Sequence, residues 1–306
     1  MNYGGTEQTI TAQTVAQKIL SALEGACLSF ELLAAALFGS VARGEARFDS
    51  DVDLLVIGRG IPLPRHRRSR EIVQIKHLLP GQPLDILLMT ADEARSNFDN
   101  HNPLFLDIAE DGIVLLDGAG MLSDAMRATR RYVRERGIGR EEAGWRFPVV
   151  RGAPTYLSKV SNLDFAQAML KDAARDHEIA QRLSESAYYD KAVYHFQQAV
   201  EKSVKAILIA LGVFRKTHLA GAALRGLCGS DRVPAEWRDR LVQVADYSEE
   251  LEPDLSLSRY PGIVNDALWF PADEYRVEDA RSAASKSAET LQIAGVFVRE
   301  WFSEIG

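Results

Sequence analysis

The sequence of 306 residues is too long for one ordinary hydrophobic core and has about the length of two domains. Hydrophobic residues make up 46% and charged residues 26%, which is typical of a globular protein and excludes a disordered tail. The two distant cysteines, Cys27 and Cys228, exclude a disulfide framework and a four-cysteine zinc site. The net charge of −7 excludes a general attraction for nucleic acid, so contact with RNA or DNA would need a local basic patch.

The sequence shows no signal for secretion or membrane insertion. Residues 1–8 are polar and lack a basic region followed by an apolar run. No stretch approaches the roughly 18 uninterrupted apolar residues of a membrane helix. We therefore expect a cytoplasmic protein with no membrane-spanning segment.

The first 120 residues alternate between helical and strand patterns. Helical spacing of apolar residues predicts helices over residues 11–25, 65–79, 91–98 and 103–110. Short apolar runs bounded by turn residues predict strands over residues 32–38, 52–57, 84–89 and 113–116. This order predicts an α/β fold with a small mixed sheet for a first domain of residues 1–120.

The remainder of the chain has a different pattern. A basic helix is predicted over residues 121–136, and Gly and Pro punctuate residues 137–154, so residues 121–160 are interpreted as a basic helix and linker. Strand signals then vanish, and helical patterns run over residues 163–183, 189–211, 237–251 and 277–302. Helices of this kind pack as an all-α up-and-down bundle, predicted for residues 161–306.

The most informative run combines a Gly-Ser pair with two aspartates. GSVARG at residues 39–44 follows a predicted strand and precedes SDVDLLV at residues 50–56. Because side chains alternate between the faces of a strand, Asp51 and Asp53 are expected on the same side. Two carboxylates that close repel each other unless a cation lies between them or one binds a proton. Oxygen ligands of this kind suit Mg²⁺, which completes its coordination with water and substrate phosphates.

A third carboxylate, Asp85, lies in the apolar run of residues 84–89, where an ionisable side chain is costly unless paired or metal-bound. Three carboxylates on neighbouring strands could hold two cations, one activating a hydroxyl and one steadying a triphosphate. Gly39 and Ser40 begin a strand-to-helix turn, whose N–H groups and hydroxyl can bind phosphate oxygens. A lone Asp-x-Asp most often caps a helix or faces water, but its occurrence in order with Gly-Ser and a third aspartate favours a metal–nucleotide site.

These residues resemble the signature of the DNA polymerase beta-like nucleotidyltransferase superfamily. The fuller match, Gly-Ser-x-Ala-Arg-Gly with Ser-Asp-x-Asp-Leu, resembles its minimal nucleotidyltransferase branch. The resemblance implies that Asp51 and Asp53 are catalytic metal ligands. It implies that Asp85 is the third catalytic carboxylate, as a metal ligand or a general base. Two Mg²⁺ ions are implied as cofactors, and Mn²⁺ could substitute for them.

The same resemblance implies nucleotide contacts in the first motif. Gly39 and Ser40 match the positions that contact the triphosphate. Arg43 also matches a position of the family, and it either binds phosphate or forms a structural salt bridge. The nucleotide implied is a nucleoside triphosphate such as ATP.

The helical half carries a second group of motifs. YYDKAV at residues 188–193, QQAVEKSVKAIL at 197–208, KTH at 216–218 and RYP at 259–261 occur in this order. They resemble a HEPN domain over residues 163–302. HEPN domains are often paired with minimal nucleotidyltransferases, and the layout is also similar to that of kanamycin nucleotidyltransferase.

Many HEPN ribonucleases carry an Arg and a His separated by four to six residues. His177, His195 and His218 of the helical half do not follow an arginine at that spacing. We therefore expect no ribonuclease activity in this half. It binds a nucleotide or the acceptor, or it mediates homodimerisation, and the sequence leaves these roles open.

Two clusters of arginines lie in the first 136 residues. Each either binds a triphosphate or an RNA backbone or forms a solvated helix face, which is the commoner case. The clusters are Arg65, Arg67, Arg68 and Arg70, and then Arg127, Arg130, Arg131, Arg134 and Arg136.

The sequence thus predicts a magnesium-dependent enzyme that transfers a nucleoside monophosphate, AMP from ATP, to a hydroxyl acceptor with release of pyrophosphate. A protein side chain, a tRNA end and a small molecule are all compatible acceptors. The alternative is a fused toxin–antitoxin-type regulatory module, in which a nuclease-inactive HEPN domain binds a nucleotide or a partner.

Overall fold

The computed structural model describes residues 11–47, 50–141, 144–215 and 217–303. These residues form two units, the first ending at Arg136 and the second beginning at Gly137. The basic helix that the sequence analysis grouped with a linker is part of the first unit.

The first unit alternates helices and strands, as the sequence predicts. Its described elements are α1 Ala12–Glu24, β1 Glu31–Phe38, α2 Gly39–Arg43, β2 Val52–Arg59, α3 Ser69–Leu78, β3 Leu84–Met89, α4 Ala91–Asp99, α5 Pro103–Asp111, β4 Ile113–Asp117 and α6 Met121–Glu135. The helix predicted over residues 65–79 is divided into a 3-10 turn, Arg65–Arg67, and α3. Thr11 caps α1, with its side chain accepting a hydrogen bond from the N–H of Thr14, and α1 ends before Gly25.

The four strands form one mixed sheet in the order β3-β2-β1-β4. β1 runs antiparallel to both β2 and β4, whereas β2 and β3 are parallel. The register pairs Phe38 with Asp53 across β1 and β2, and Asp53 with Asp85 across β2 and β3. The predicted α/β class with a small mixed sheet is therefore confirmed.

The sheet separates two hydrophobic clusters. One face buries Leu54 and Ile86 together with residues of α1 and α3. The opposite face buries Leu55 and Met89 with residues of α4, α5 and α6. Since side chains alternate along a strand, Asp53 and Asp85 belong to the second face, at the end of the sheet where β2 and β3 begin.

A buried arginine fixes the segment between β2 and α4. The side chain of Arg68 is 1% exposed, and its guanidinium binds the carboxylate of Glu93 at 2.7 and 3.0 Å. It also donates hydrogen bonds to the carbonyl oxygens of Pro62, Leu63 and Leu88, at 2.7, 2.6 and 2.9 Å. Arg68 is therefore a structural residue, unlike its exposed neighbours in the first arginine cluster.

The second unit is rich in helices. Its described elements are β5 Gly139–Glu141, β6 Gly144–Arg146, α7 Asn162–Glu185, α8 Tyr189–Ala210, β7 Val213–Arg215, α9 Ala220–Cys228, α10 Arg238–Leu251, α11 Asp254–Leu257, β8 Gly262–Val264, β9 Ala267–Trp269, α12 Pro271–Glu274 and α13 Val277–Phe302. The four long helices match the predicted patterns. Helix α8 packs against α7, α13, α10 and α9, and Phe196, Val200 and Ile207 on its predicted apolar stripe are almost fully buried. No helix within the described ranges is long and apolar enough to cross a membrane.

The predicted helix-rich second half is confirmed, but β7, β8 and β9 lie within residues 163–302, where the sequence shows no strand signal. β5, β6 and β7 form a three-stranded sheet, and β8 and β9 form a hairpin. Strands of three residues are too short to show the alternation from which a strand is predicted. β5 and β6 lie in the segment interpreted as a linker, which buries Trp145 and Phe147 at 2% exposure each.

The pairing of Glu93 with Arg68 predicts a pH-dependent stability of the first unit. Burial alone would raise the pKa of Glu93, but hydrogen bonds from Arg68, the Thr90 backbone and Arg65 outweigh it and lower the pKa from 4.5 to about 2. A lowered pKa stabilises the folded state above the unfolded-state value, and this contribution is lost as the pH falls through the folded-state value.

We therefore expect the free energy of unfolding to fall between about pH 4.5 and pH 2. Glu93→Gln should flatten this dependence and destabilise the first unit by about 2 kcal/mol at neutral pH. Urea unfolding at a series of pH values measures both effects. Asp92→Asn, an exposed acid in the same helix turn, is the matched control. An unchanged pH dependence in Glu93→Gln would contradict the assignment.

Candidate active site

The turn from β1 into α2 lies against the carboxylate of Asp53. Gly39 has a φ of +76°, which is the left-handed region that favours glycine. A Cβ atom added at Gly39 would lie 1.8 Å from Oδ2 of Asp53, far inside a van der Waals contact. Glycine is therefore favoured at this position for two reasons. It adopts the positive φ without strain, and it has no Cβ atom to collide with Asp53. Ser40 follows in the first turn of α2 and is partly buried.

Two of the three predicted carboxylates lie on neighbouring parallel strands. Asp53 and Asp85 are register partners, so their side chains project from the same face, and neighbouring strands lie roughly 4.8 Å apart. The sequence predicts that Asp85 is an ionisable group within an apolar strand. In the structure Asp85 is exposed although Leu84 and Ile86 are buried, so its carboxylate does not carry that desolvation cost.

Asp51 lies one residue before β2 and is exposed. The N–H of the next residue, Val52, donates a hydrogen bond of 2.7 Å to the carbonyl oxygen of Pro83. This bond fixes the start of β2 beside the start of β3. The aspartates at residues 51, 53 and 85 thus lie at the beginnings of β2 and β3, which this hydrogen bond joins.

Arg43, at the end of α2, forms ion pairs within the first unit. Its Nε lies 2.6 Å from Oε2 of Glu45, and its Nη1 lies 3.7 Å from Oδ2 of Asp111 in α5. Of the two roles that the sequence left open, the structure contains the salt bridge. Phosphate binding by Arg43 stays a prediction.

The carboxylates do not form a protein cage for a metal ion. Over the parts of the chain that the structure describes, no three side chains of Asp, Glu, His or Cys are placed to hold a metal ion among themselves. Mg²⁺ in phosphoryl-transfer sites takes one or two carboxylates from the protein and its other ligands from water and phosphates. The donor set of Asp53 and Asp85, beside a turn that a Cβ atom would fill, fits a cation completed in that way.

Each histidine of the helical half is held by a polar side chain of its own unit. The pairs are His177 Nδ1 with Ser287 Oγ at 2.9 Å, His195 Nδ1 with Asp176 Oδ1 at 3.0 Å, and His218 Nδ1 with Glu201 Oε1 at 3.0 Å. Burial lowers the pKa of His177. The expected absence of ribonuclease activity in this half stays a prediction.

A cluster of charged side chains lies between α7 and α8, and its two aspartates were not predicted from the sequence. Lys202 binds the carboxylates of Asp172 and Asp176 at 2.6 and 2.5 Å. Burial alone would lower the pKa of Lys202, but hydrogen bonds to these two carboxylates outweigh it and raise the pKa. Asp172 and Asp176 recur at a spacing of four residues, which places them on one helix face. That spacing was the only available signal, and it is common on solvated helices.

Comparisons of the sequence with known families identify a nucleotidyltransferase domain followed by a HEPN domain. Residues 20–114 match the Nucleotidyltransferase domain, and residues 166–294 match the HEPN domain. The Putative toxin MJ1304 of Methanocaldococcus jannaschii is 32% identical over 139 residues, which cover 45% of this chain and 91% of that protein. The chain therefore carries a nucleotidyltransferase domain followed by a HEPN domain, and it belongs to the HEPN family.

Solved structures are similar to parts or most of the chain. ST0689, an archaeal HEPN homologue, is 23% identical and covers 44% of this chain and 97% of its own, with a TM-score of 0.34. A nucleotidyltransferase-like protein from Exiguobacterium sibiricum 255-15 is 14% identical and covers 96% of this chain and 78% of its own, with a TM-score of 0.38. Because both TM-scores are low, the family assignment rests on the sequence comparisons.

The close approach of Gly39 to Asp53 predicts a specific effect of Gly39→Ala. Gly44 is the matched control, since its φ is +72° and no atom lies within 4 Å of an added Cβ. Both substitutions should cost about 1–2 kcal/mol because alanine is strained at these backbone angles. Only Gly39→Ala should also displace the carboxylate of Asp53.

Urea unfolding and titration calorimetry with Mg²⁺ and ATP measure the two effects. We expect Gly39→Ala to be the less stable variant and to weaken nucleotide binding by about tenfold or more. Gly44→Ala should bind within about twofold of the unchanged protein. Equal stability and equal affinity of the two variants would show that the contact with Asp53 does not matter.

Proposed function

We propose that the first unit transfers AMP from ATP to a hydroxyl acceptor and releases pyrophosphate. The observation that carries the proposal is the register pairing of Asp53 with Asp85 beside the turn at Gly39. This geometry lies within the region that matches the Nucleotidyltransferase domain. It supports an active site in which carboxylates and a phosphate-binding turn face the same ligand.

The residues of the site have distinct roles in this proposal. Asp51 and Asp53 hold the divalent cations, and Asp85 is a further ligand or the general base. Gly39 and Ser40 bind the triphosphate through backbone N–H groups and the serine hydroxyl. When bound, Mg²⁺ supplies positive charge that offsets the negative charge developing on the phosphates.

The reaction forms one bond and breaks another at the same phosphorus atom. The acceptor oxygen bonds to the α-phosphorus, and the bond from that phosphorus to the oxygen bridging to the β-phosphate breaks. Pyrophosphate leaves with the electron pair of that bond, and the hydroxyl proton passes to Asp85 or to solvent. Catalysis of this kind depends on positioning and on electrostatic stabilisation, which a rigid sheet edge can supply.

A second candidate function concerns the HEPN half. One relative bears the name of a toxin, and a solved structure that is 19% identical is titled as a toxin–antitoxin with AMP-PNP, covering 40% of this chain and 92% of its own, with a TM-score of 0.27. The histidines of this half are paired with serine or carboxylate oxygens. We infer a HEPN domain that does not cut RNA and that binds a nucleotide, the acceptor or a second copy of the chain.

The proposed metal ligands predict a loss of metal-dependent nucleotide binding in Asp51→Asn and Asp53→Asn. Calorimetry with ATP and Mg²⁺ should show affinities at least about tenfold weaker than that of the unchanged protein. The fold should persist, because removing nearby like charges relieves repulsion. Asp99→Asn, an exposed aspartate of α4, is the matched control and should bind normally. Undiminished affinity in the Asp51→Asn, Asp53→Asn double variant would refute the assignment.

Because no histidine of the helical half follows an arginine by four to six residues, we predict that the full chain has no metal-independent ribonuclease activity. Incubation with labelled single-stranded RNA in the presence of EDTA should leave the RNA intact. His218 is the variant of choice because its imidazole binds the buried carboxylate of Glu201. Cleavage by the unchanged protein that disappears in His218→Ala would overturn this prediction.

A further inference from the structure

Helix α6 carries a row of arginines on its outer side. Leu122, Met126 and Val133 are buried and face the core of the first unit. Arg127, Arg131 and Arg134 are exposed. Their spacings of four and three residues place the three guanidinium groups in one row along the helix. At a rise of 1.5 Å per residue, the row extends over about 10 Å along the axis.

The row is available to an anionic ligand. Arg127, Arg131 and Arg134 line a groove of about 470 Å³. Arg127 pairs with Asp124 at 2.9 Å and Arg131 with Glu135 at 3.9 Å, and all four side chains are at least 66% exposed. Exposed ion pairs contribute little free energy, so a phosphate competes readily with these carboxylates.

The row also concentrates positive charge in an acidic protein. Residues 121–136 contain five arginines and two acidic residues, whereas the whole chain has a net charge of −7. A polyanion is repelled by most of such a surface and attracted to the row. The length of the row suits a ligand with several phosphates at regular intervals better than one terminal phosphate.

Contacts within the first unit connect the row to the candidate active site. Arg130, on the same helix, donates a hydrogen bond of 2.5 Å to the carbonyl oxygen of Ala109 in α5. Two residues further along α5, Asp111 lies 3.7 Å from Arg43 at the end of α2. α6 and α5 also pack over the sheet face from which Asp53 projects. The row and the turn at Gly39 are therefore anchored to the same helix.

We propose that Arg127, Arg131 and Arg134 bind the phosphate backbone of a single-stranded nucleic acid whose terminal hydroxyl is the acceptor. The terminal hydroxyl oxygen bonds to the α-phosphorus of ATP, pyrophosphate leaves, and the proton passes to Asp85 or to solvent. The identity of the acceptor rests on the proposed transferase function, whereas backbone binding by the row does not. Among the acceptors left open by the sequence, a cationic small molecule is disfavoured because the row repels it.

The test uses the full chain and fluorescence anisotropy with a labelled single-stranded RNA of about twelve nucleotides. A DNA of the same sequence forms the second arm. Arg127→Gln, Arg131→Gln and Arg134→Gln are combined in one variant. Arg67→Gln, Arg70→Gln and Arg95→Gln form the matched control, which removes the same charge from exposed positions of the same unit and spares Arg65 and the buried Arg68, which bind Glu93.

At low salt, the row variant should bind the oligonucleotide at least about tenfold more weakly than the unchanged protein does. Its slope of log K against log salt should fall by about 2, since three phosphate contacts on a single strand each contribute about 0.7. The control variant should bind within about twofold of the unchanged protein. Equal binding of RNA and DNA supports recognition of the backbone, and preference for RNA supports an RNA acceptor. The proposal is overturned if the unchanged protein binds neither oligonucleotide, or if both variants lose the same affinity.

A second assay separates this proposal from the proposed function. Addition of ATP and Mg²⁺ should lengthen the oligonucleotide by a nucleotide, and both Asp53→Asn and the row variant should abolish the longer product. Transfer of AMP to another acceptor with release of pyrophosphate, and without oligonucleotide binding, would uphold the proposed transferase function and contradict nucleic-acid binding by the row. Oligonucleotide binding through the row without any nucleotide transfer would uphold backbone binding and overturn both the acceptor assignment and the proposed function.

Discussion

The turn at Gly39 lies so close to the side chain of Asp53 that a Cβ atom added at Gly39 would be 1.8 Å from Oδ2 of Asp53. This contact is possible because β1 ends at Phe38, the register partner of Asp53, and because the chain turns at once through a positive φ into α2. The pairing of β1 with β2 therefore places both the turn at Gly39 and the carboxylate of Asp53. A ligand bound at the turn therefore lies next to the carboxylate of Asp53.

The remaining parts of the site are placed by the parallel pairing of β2 with β3. That pairing brings Asp85 beside Asp53, and the bond between the Val52 N–H and the Pro83 carbonyl fixes where both strands begin. At the far end of β3, Arg68 holds the carbonyl oxygen of Leu88. Hydrogen bonds thus hold β3 at both ends. This restraint keeps the backbone positions of Asp53 and Asp85 fixed when no ligand is bound. Rigid placement of this kind is what an electrostatic mechanism requires.

Periodicity in the sequence predicted the mixed sheet and the long helices, because these elements span enough residues to show a pattern. The Gly-Ser and Asp-x-Asp motifs, rather than periodicity, indicated Gly39, Asp51 and Asp53, and the role of these residues as a site stays a prediction. Periodicity did not predict β5 to β9, which are three residues each, or the exposure of Asp85, which depends on where β3 lies in the sheet. It could not separate the buried Arg68 from the exposed arginines around it, because Arg68 binds the carbonyl oxygen of Leu88 and the carboxylate of Glu93, which are distant in sequence. The salt bridge of Arg43 to Asp111 is likewise a tertiary contact.

The central claim is that Gly39 and the aspartates of β2 and β3 bind one metal–nucleotide complex. Crystals of the full chain grown with Mn²⁺ and a non-hydrolysable ATP analogue test it directly, because anomalous scattering locates manganese. We expect a manganese peak at about 2.1 Å from carboxylate oxygens of Asp53 and of Asp51 or Asp85, with the triphosphate along the turn at Gly39 and Ser40. Manganese and nucleotide bound only to the helical half, with no peak at these aspartates, would contradict the account.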